Sequence, residues 1–141
     1  MGGAAYIGEE GKIIKYKEFD NFCTKYEFMF NGMAFNSSEQ FFQFHKCDDE
    51  KFRKDMLTIG RDPGLAWDLG NKCNLREDWE ASKVHIMCAG NYFKILTNKI
   101  VSDILVKTEG PIIFKRSCDF WNKENARILS TIRQFLLNDF Y

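Results

Sequence analysis

The amino-acid sequence predicts a mostly helical α+β fold. Helix signals follow one another from residue 36 to residue 137, whereas strand-like runs are short and lie mostly near the two ends. The 141 residues are 45% hydrophobic and 16% aromatic, which is enough apolar material for one substantial core. No repeat or Pro/Gly/Ser-rich linker divides the chain. We therefore expect residues 1–141 to form a single domain, in which about residues 1–11 are a disordered N-terminal tail.

Short strands come first along the chain. Residues 12–16 have the β-branched and aromatic character of a strand. Residues 27–30 and 33–35 flank Asn31-Gly32, a dipeptide that supplies the positive φ angles of a type I′ turn. The sequence thus predicts a β-hairpin there. A last strand is predicted at residues 112–114.

Capping residues locate the helices. Asn36 or Ser37, followed three residues later by Glu39 or Gln40, forms a capping box, so a helix begins at this point. Asp, Asn and Pro at helix starts, and Gly at helix ends, delimit the later helices. Five of these are predicted, at residues 49–59, 62–70, 78–96, 98–109 and 124–137.

The first helix carries a polar stripe. Glu39, Gln43 and Lys46 are spaced at i, i+4 and i+7, which brings their side chains onto one face. The rest of the circumference is aromatic and therefore expected to be buried. The stripe consequently lines a cleft or faces bulk solvent, and the sequence leaves both alternatives open. The aromatic residues of this helix are Phe41, Phe42 and Phe44.

Composition excludes several function classes. Twenty basic and twenty acidic residues cancel, so there is no general electrostatic attraction to nucleic acid or to a membrane. Five cysteines without a C-x-x-C pair and only two histidines argue against a zinc site or a disulfide scaffold. We expect no metal and no cofactor, no membrane association, and a cytoplasmic location with the nucleus as the alternative.

Three side chains are candidates for chemistry. Glu39 lies near a helix N-terminus and can act as a general base or stabilise a developing cation. Lys46 can meet an anionic substrate or simply be a solvated surface charge. Trp79 can stack against a flat heterocycle, and the competing interpretation is that it belongs to the core.

An ordered set of motifs resembles the NADAR (YbiA-like) family. The family pattern runs approximately F-S-N-F, S-S-E-H-x-x-Q-x-x-K, A-x-x-L-G-R and D-W-E, with a trailing methionine. The resemblance extends over about residues 16–133. The corresponding residues here are Phe19-Asp20-Asn21-Phe22, Ser38-Glu39 with Gln43 and Lys46, Ala66 with Leu69-Gly70, Asp78-Trp79-Glu80 and Met87.

The resemblance implies a compact, mostly helical α+β domain with N-glycosidase activity. The implied substrates are ribosylamine phosphate intermediates of riboflavin synthesis, or ADP-ribose attached to guanine bases, including guanine in nucleic acid. Carried over residue by residue, it implies two groups of site residues. The catalytic group is Glu39, Trp79 and Asp119, and the substrate-binding group is Asn21, Gln43, Lys46 and Trp121.

The chain departs from the family pattern in its C-terminal part. Asn71 stands where the family has the arginine of L-G-R, and Lys115 stands near an expected glutamate. The family's aspartate lies three residues before its tryptophan, a place that Cys118 occupies here, so Asp119 replaces it only if the loop shifts by one residue. The glycine-rich loop that follows in the family is absent. These losses keep a second hypothesis open, a module that binds ADP-ribose or a nucleotide without turnover.

Overall fold

The computed structural model of the protein describes residues 3–141. Within that range the chain is a single α+β domain, as the sequence predicts. Two small antiparallel sheets accompany six α-helices. The strands are β1 (Ala4–Glu9), β2 (Lys12–Lys15), β3 (Phe28–Phe30), β4 (Met33–Phe35) and β5 (Ile112–Lys115). The helices are α1 (Ser38–Phe44), α2 (Glu50–Leu57), α3 (Pro63–Gly70), α4 (Trp79–Thr97), α5 (Lys99–Val106) and α6 (Asp119–Asp139).

The three-stranded sheet corrects the prediction of an N-terminal tail. Its order is β2-β1-β5, so β1 is the central strand, with Tyr6 opposite both Lys15 and Ile113. Ala5 and Ile7 are fully buried. Long-range pairing with β5 holds this strand, and its small residues gave no alternating pattern from which to predict it. The first two residues of the predicted tail lie outside the described residues.

The second sheet is the predicted β-hairpin. β3 pairs with β4 in antiparallel register, with Phe28 opposite Phe35. Asn31 and Gly32 have φ angles of 49° and 76°, as a type I′ turn requires. Both phenylalanines are buried, so the hairpin closes one side of the core.

Most helix starts occur where capping residues predict them. The carboxylates of Asp49 and Asp62 accept hydrogen bonds from backbone N–H groups in the first turns of α2 and α3. Asn98 precedes α5 as predicted, but its side chain does not cap that helix. Its amide instead donates to the carbonyls of Lys94 and Glu27, which ties the end of α4 to the hairpin.

The last helix begins earlier than predicted. α6 starts at Asp119, so residues 119–123 form its first turn rather than a loop. The Asn122 side chain accepts from the Ser117 N–H and donates to the Ser117 carbonyl. This pair of hydrogen bonds fixes the chain where it enters the helix.

Helix α1 lies between two apolar clusters. Phe42 belongs to the cluster formed with the three-stranded sheet and helices α4–α6. Phe41 and Phe44 belong to the cluster formed with the hairpin, α2 and α3. A Cβ atom at Gly90 of α4 would lie 2.7 Å from the Phe41 ring, so α1 and α4 pack at close range. Consequently α1 is enclosed on all sides, and every one of its residues is buried.

Helix α4 also buries a lysine outside the predicted site. Lys94 has no exposed surface, and its ammonium donates to the Asp20 carbonyl at 3.0 Å. Burial lowers the pKa of Lys94 to about 8, although nearby Cys23 and Asp20 oppose part of this shift. Among residues 3–141, no helix combines the length and apolar character needed to cross a membrane.

The lowered pKa of Lys94 predicts a contribution to the pH dependence of the free energy of unfolding above pH 8. Between pH 8 and 10 the unfolded chain holds a proton on Lys94 that the native protein loses, so Lys94 contributes an increase in the free energy of unfolding with pH. Cys73 and Cys88 contribute in the opposite direction, because burial raises the pKa of their thiols. The Lys94 contribution is limited to about 1.4 kcal/mol per pH unit for one proton. Urea unfolding at several pH values should therefore give a lower slope for Lys94→Met than for wild type, and equal slopes in the two proteins would contradict this assignment.

Candidate active site

The predicted capping box positions the start of α1. Ser37 Oγ accepts from the Gln40 N–H at 3.0 Å, and Gln40 Oε1 accepts from the Asn36 N–H at 2.7 Å. Gln40 also donates to the Met56 carbonyl of α2. These bonds set the direction in which α1 leaves the hairpin, and so the direction of its polar stripe.

Glu39 lies in the interior of the protein. Its side chain has no exposed surface, so bulk solvent, one of the two alternatives that the sequence leaves open for the stripe, is excluded at Glu39. One carboxylate oxygen, Oε1, accepts from Gln43 Nε2 at 2.6 Å. Within residues 3–141, no hydrogen-bond donor reaches the other oxygen, Oε2. The Glu39 N–H donates to the Asn21 carbonyl at 2.9 Å, which fixes the backbone at this position.

Gln43 is held between α1 and α3. It is fully buried, and its Oε1 lacks a hydrogen-bond donor within the described residues. A Cβ atom at Gly70 would lie 1.8 Å from that oxygen, so only glycine allows the α3 backbone to come this close. The contact explains why a glycine ends α3. It also orients the amide that holds Glu39.

Lys46 lies at the other end of the stripe. The residue is 8% exposed, and its ammonium is 5.6 Å from the centre of the Phe42 ring. Burial lowers the pKa of Lys46, and the charge of Glu39 opposes that shift. In the described part of the chain, its ammonium forms no ion pair and no hydrogen bond. The N–H groups of the Lys46 ammonium are therefore available to a ligand near the Glu39 carboxylate.

Two tryptophans pack against the same phenylalanine. The ring centre of Phe42 is 4.9 Å from that of Trp79 and 5.3 Å from that of Trp121. Both indoles are at least nine-tenths buried and belong to the larger apolar cluster. Trp79 is thus part of the core, as the competing interpretation held. Phe42 nevertheless brings Trp79, Trp121 and Lys46 together beside the stripe.

Asn21 belongs to a buried chain of amides. Asn91 Nδ2 donates to Asn21 Oδ1 at 2.9 Å and to the Met87 carbonyl at 3.0 Å, while Ser38 Oγ donates to Asn91 Oδ1 at 3.1 Å. Asn21 Nδ2 in turn donates to Asn125 Oδ1 at 3.3 Å. Sequence analysis missed Asn91 and Asn125. The signal available was a polar residue on the otherwise apolar face of a long helix.

The structure leaves Asp119 apart from this group. Its side chain is exposed in the first turn of α6. It makes no hydrogen bond or ion pair with any residue in the range 3–141. Six of the seven predicted residues are therefore buried around α1: Asn21, Glu39, Gln43, Lys46, Trp79 and Trp121.

The buried group has a defined chemical capability. A carboxylate with one oxygen held by Gln43 and the other without a donor can accept a proton or stabilise a nearby positive charge. The low-polarity surroundings strengthen either interaction. Lys46 can neutralise an anionic group at the far end of the stripe.

Comparisons with known proteins agree with this architecture. The family profile described as NADAR domain matches residues 9–127, a range that contains every residue of the candidate site. The NMR structure of the E. coli protein YbiA is similar with a TM-score of 0.78 and 22% sequence identity, over 86% of this chain and 79% of that one. The search of curated proteins found no match. The structural likeness establishes a shared fold.

The Gly70–Gln43 contact predicts that Gly70 cannot be replaced by a larger residue without a loss of stability. Gly70→Ala should place its methyl group against the Gln43 amide and lower the free energy of unfolding by about 1–3 kcal/mol. Gly64→Ala in the same helix is the matched control, since its Cβ meets only Asp62 Oδ1 at 3.3 Å and should change stability by about 0.5 kcal/mol or less. Chemical denaturation compares the two, and equal effects would contradict the close approach.

Proposed function

The chain belongs to the NADAR domain family, and on this premise we propose that it is an N-glycosidase. The proposed reaction is hydrolysis of the bond between an anomeric ribose carbon and a nitrogen atom. The proposed substrates are ribosylated or ADP-ribosylated nitrogen compounds, either ribosylamine phosphates or ADP-ribosyl-guanine. A cytoplasmic location, with the nucleus as the alternative, fits the free cysteines and remains part of the proposal.

The main support for this proposal is the burial of Glu39 with one carboxylate oxygen that has no donor among the described residues. Taking a carboxylate out of water costs several kcal/mol, and an oxygen without a donor leaves that cost uncompensated. A group kept in this state is suited to a partner that is absent from the resting protein. A developing cation, or a water molecule ready to lose a proton, is such a partner.

The chemistry follows from the charge that develops at the sugar. As the C–N bond breaks, its electron pair leaves with the nitrogen, and the ribose acquires oxocarbenium character. Glu39 stabilises this positive charge and removes a proton from the water whose oxygen attacks the anomeric carbon. That proton ultimately balances the charge on the departing nitrogen. The products are a free ribose hydroxyl and the released base or amine.

The neighbouring residues have supporting roles in the proposal. Gln43 holds one oxygen of Glu39. Lys46 supplies a cation for a substrate phosphate, and Trp79 and Trp121, which pack against Phe42 beside the stripe, contact the leaving base once the stripe is uncovered. Asn21 fixes the backbone of Glu39 through its carbonyl. Asp119 joins the site only if the first turn of α6 moves when substrate binds.

Access to Glu39 requires movement of the protein. The residue has no exposed surface, and neither has Gln43. A substrate therefore contacts the carboxylate only after the side chains around the stripe separate. Binding energy from the rest of the substrate can drive such an opening.

Glu39→Gln tests the catalytic role. The substitution preserves shape and removes the charge, so kcat/KM should fall by about 10²- to 10⁴-fold, while the melting temperature should be retained or rise because the buried charge is gone. Release of guanosine and ADP-ribose from ADP-ribosyl-guanosine, or of amine from a ribosylamine phosphate, measures turnover by chromatography. Glu50→Gln, which changes an exposed carboxylate at the start of α2, is the matched control and should retain full activity.

Two other outcomes of that experiment are informative. Wild-type turnover equal to that of Glu39→Gln would contradict the N-glycosidase proposal. Calorimetry with ADP-ribose then identifies the alternative, because binding without hydrolysis is the behaviour of a recognition module. The exposed position of Asp119 is the observation that favours this alternative.

Lys46→Met tests the phosphate contact. A charged hydrogen bond contributes about 1.5–3 kcal/mol, so KM for a phosphorylated substrate should rise by about 10- to 100-fold. The same ribosyl compound without its phosphate should be affected little, because it makes no use of the cation. Parallel kinetics on the two substrates give the comparison. An equal loss on both would mean that Lys46 acts on the fold or on Glu39 instead.

A further inference from the structure

Two cysteines meet where α1 and α3 end. Cys47 follows the last turn of α1 and Lys46, and Cys73 lies in the turn that follows α3. The two thiols are close enough to interact, and the interaction with Cys47 adds to the rise in the pKa of Cys73. Both also line the same cavity, of about 360 Å³, together with Phe52, Leu69 and Lys72. The pair therefore lies between the C-terminal ends of α1 and α3, which α2 separates in the sequence.

The two thiols differ in their access to solvent. Cys47 is buried, and its sulfur accepts a hydrogen bond from the Asp49 N–H at 3.3 Å, which fixes the position of that sulfur. Cys73 is partly exposed, and it is open to reagents from the cavity. Burial raises the pKa of the Cys73 thiol, but the ammonium of Lys46 opposes that rise.

We propose that Cys47 and Cys73 form a reversible disulfide that fastens α1 to α3. The oxidant is a low-molecular-weight disulfide such as oxidised glutathione. The Cys73 thiolate attacks one of its sulfur atoms, and the first small thiolate leaves with the electron pair of the broken S–S bond. Cys47 then attacks the Cys73 sulfur of the mixed disulfide and expels the second. In the balance, two protein thiols are oxidised and one small disulfide is reduced to two thiols.

The disulfide has a mechanical consequence for the buried stripe. Gly70 of α3 lies against Gln43 of α1, so separation of these helices uncovers Gln43, the residue whose amide holds Glu39. A covalent bond between the ends of α1 and α3 opposes that separation. The oxidised protein is thus the closed form, and the reduced protein is the form able to open.

Mass spectrometry tests the covalent step. Wild-type protein treated with oxidised glutathione should yield a peptide pair joined through Cys47 and Cys73. Cys73→Ser should lose that pair, and so should Cys47→Ser, which instead accumulates a glutathione adduct on Cys73. Cys88→Ser, which alters a cysteine on α4, is the control and should form the disulfide normally. Only glutathione adducts in the wild type, with no bridged peptide pair, would overturn the proposal.

Hydrogen exchange and thermal unfolding test the mechanical step. The disulfide closes a loop that contains α2 and α3, so oxidation should raise the melting temperature by about 10 °C. Amide exchange in α1 and α3 should slow on oxidation and recover with dithiothreitol, and the double Cys47→Ser, Cys73→Ser variant should show neither change. A bridged protein with unchanged exchange in both helices would overturn the closing role.

An activity measurement extends the test, and this arm alone rests on the proposed function. Oxidised wild type should turn over ribosylated substrate more slowly than reduced wild type, while Cys88→Ser responds in the same way as wild type. A protein inactive in both redox states would count against the N-glycosidase proposal. In that case, mass spectrometry and amide hydrogen exchange alone would decide whether the disulfide forms and closes the protein. An active protein whose rate is the same with and without the bridge would overturn redox control.

Discussion

The elements around α1 are arranged so that they enclose the side chain of Glu39. A carboxylate can be placed in the interior only if its helix is surrounded, and α1 has the hairpin, α2, α3, α4 and the larger apolar cluster on its different sides. The aromatic residues of α1 fill the two clusters, so the polar stripe is confined to the seam between them. Gln43 donates a hydrogen bond to one oxygen of the Glu39 carboxylate. The other oxygen has no donor among the described residues and can interact with a bound partner. An incompletely compensated buried charge lowers the free energy of unfolding. The apolar packing around α1 must therefore offset that cost.

Close backbone approaches make this enclosure feasible. Gly70 lets α3 come within contact of the Gln43 amide, and Gly90 lets α4 come within contact of Phe41. The chain of amides from Ser38 through Asn91 and Asn21 to Asn125 joins α1, α4 and α6 through polar contacts in the interior. A fully bonded network of this kind holds helices in one relative position better than apolar packing alone. The same helices carry Trp79 and Trp121, so the network also sets the distance between the tryptophans and the stripe.

Local signals made most of the fold predictable from sequence. The Asn31-Gly32 turn, the capping box before α1 and the Asp62-Pro63 start of α3 act within a few residues and were located correctly. Features that depend on distant partners were missed. β1 is a strand because β5 pairs with it, and α6 begins at Asp119 because Asn122 bonds back to Ser117. For the candidate site, helical spacing grouped Glu39, Gln43 and Lys46, but burial of the stripe depends on α3, which no pattern within α1 reveals.

We propose that the anomeric carbon of a substrate binds against the side chain at position 39. A crystal structure of Glu39→Gln soaked with ADP-ribosyl-guanosine tests it directly. We expect a ligand whose anomeric carbon lies within about 3.5 Å of that side chain, the contact distance of a reactive arrangement. Its base should lie near Trp79 and Trp121 and a phosphate at Lys46. A ligand bound elsewhere, with α3 still packed against α1 and residue 39 still buried, would contradict the proposed role of Glu39.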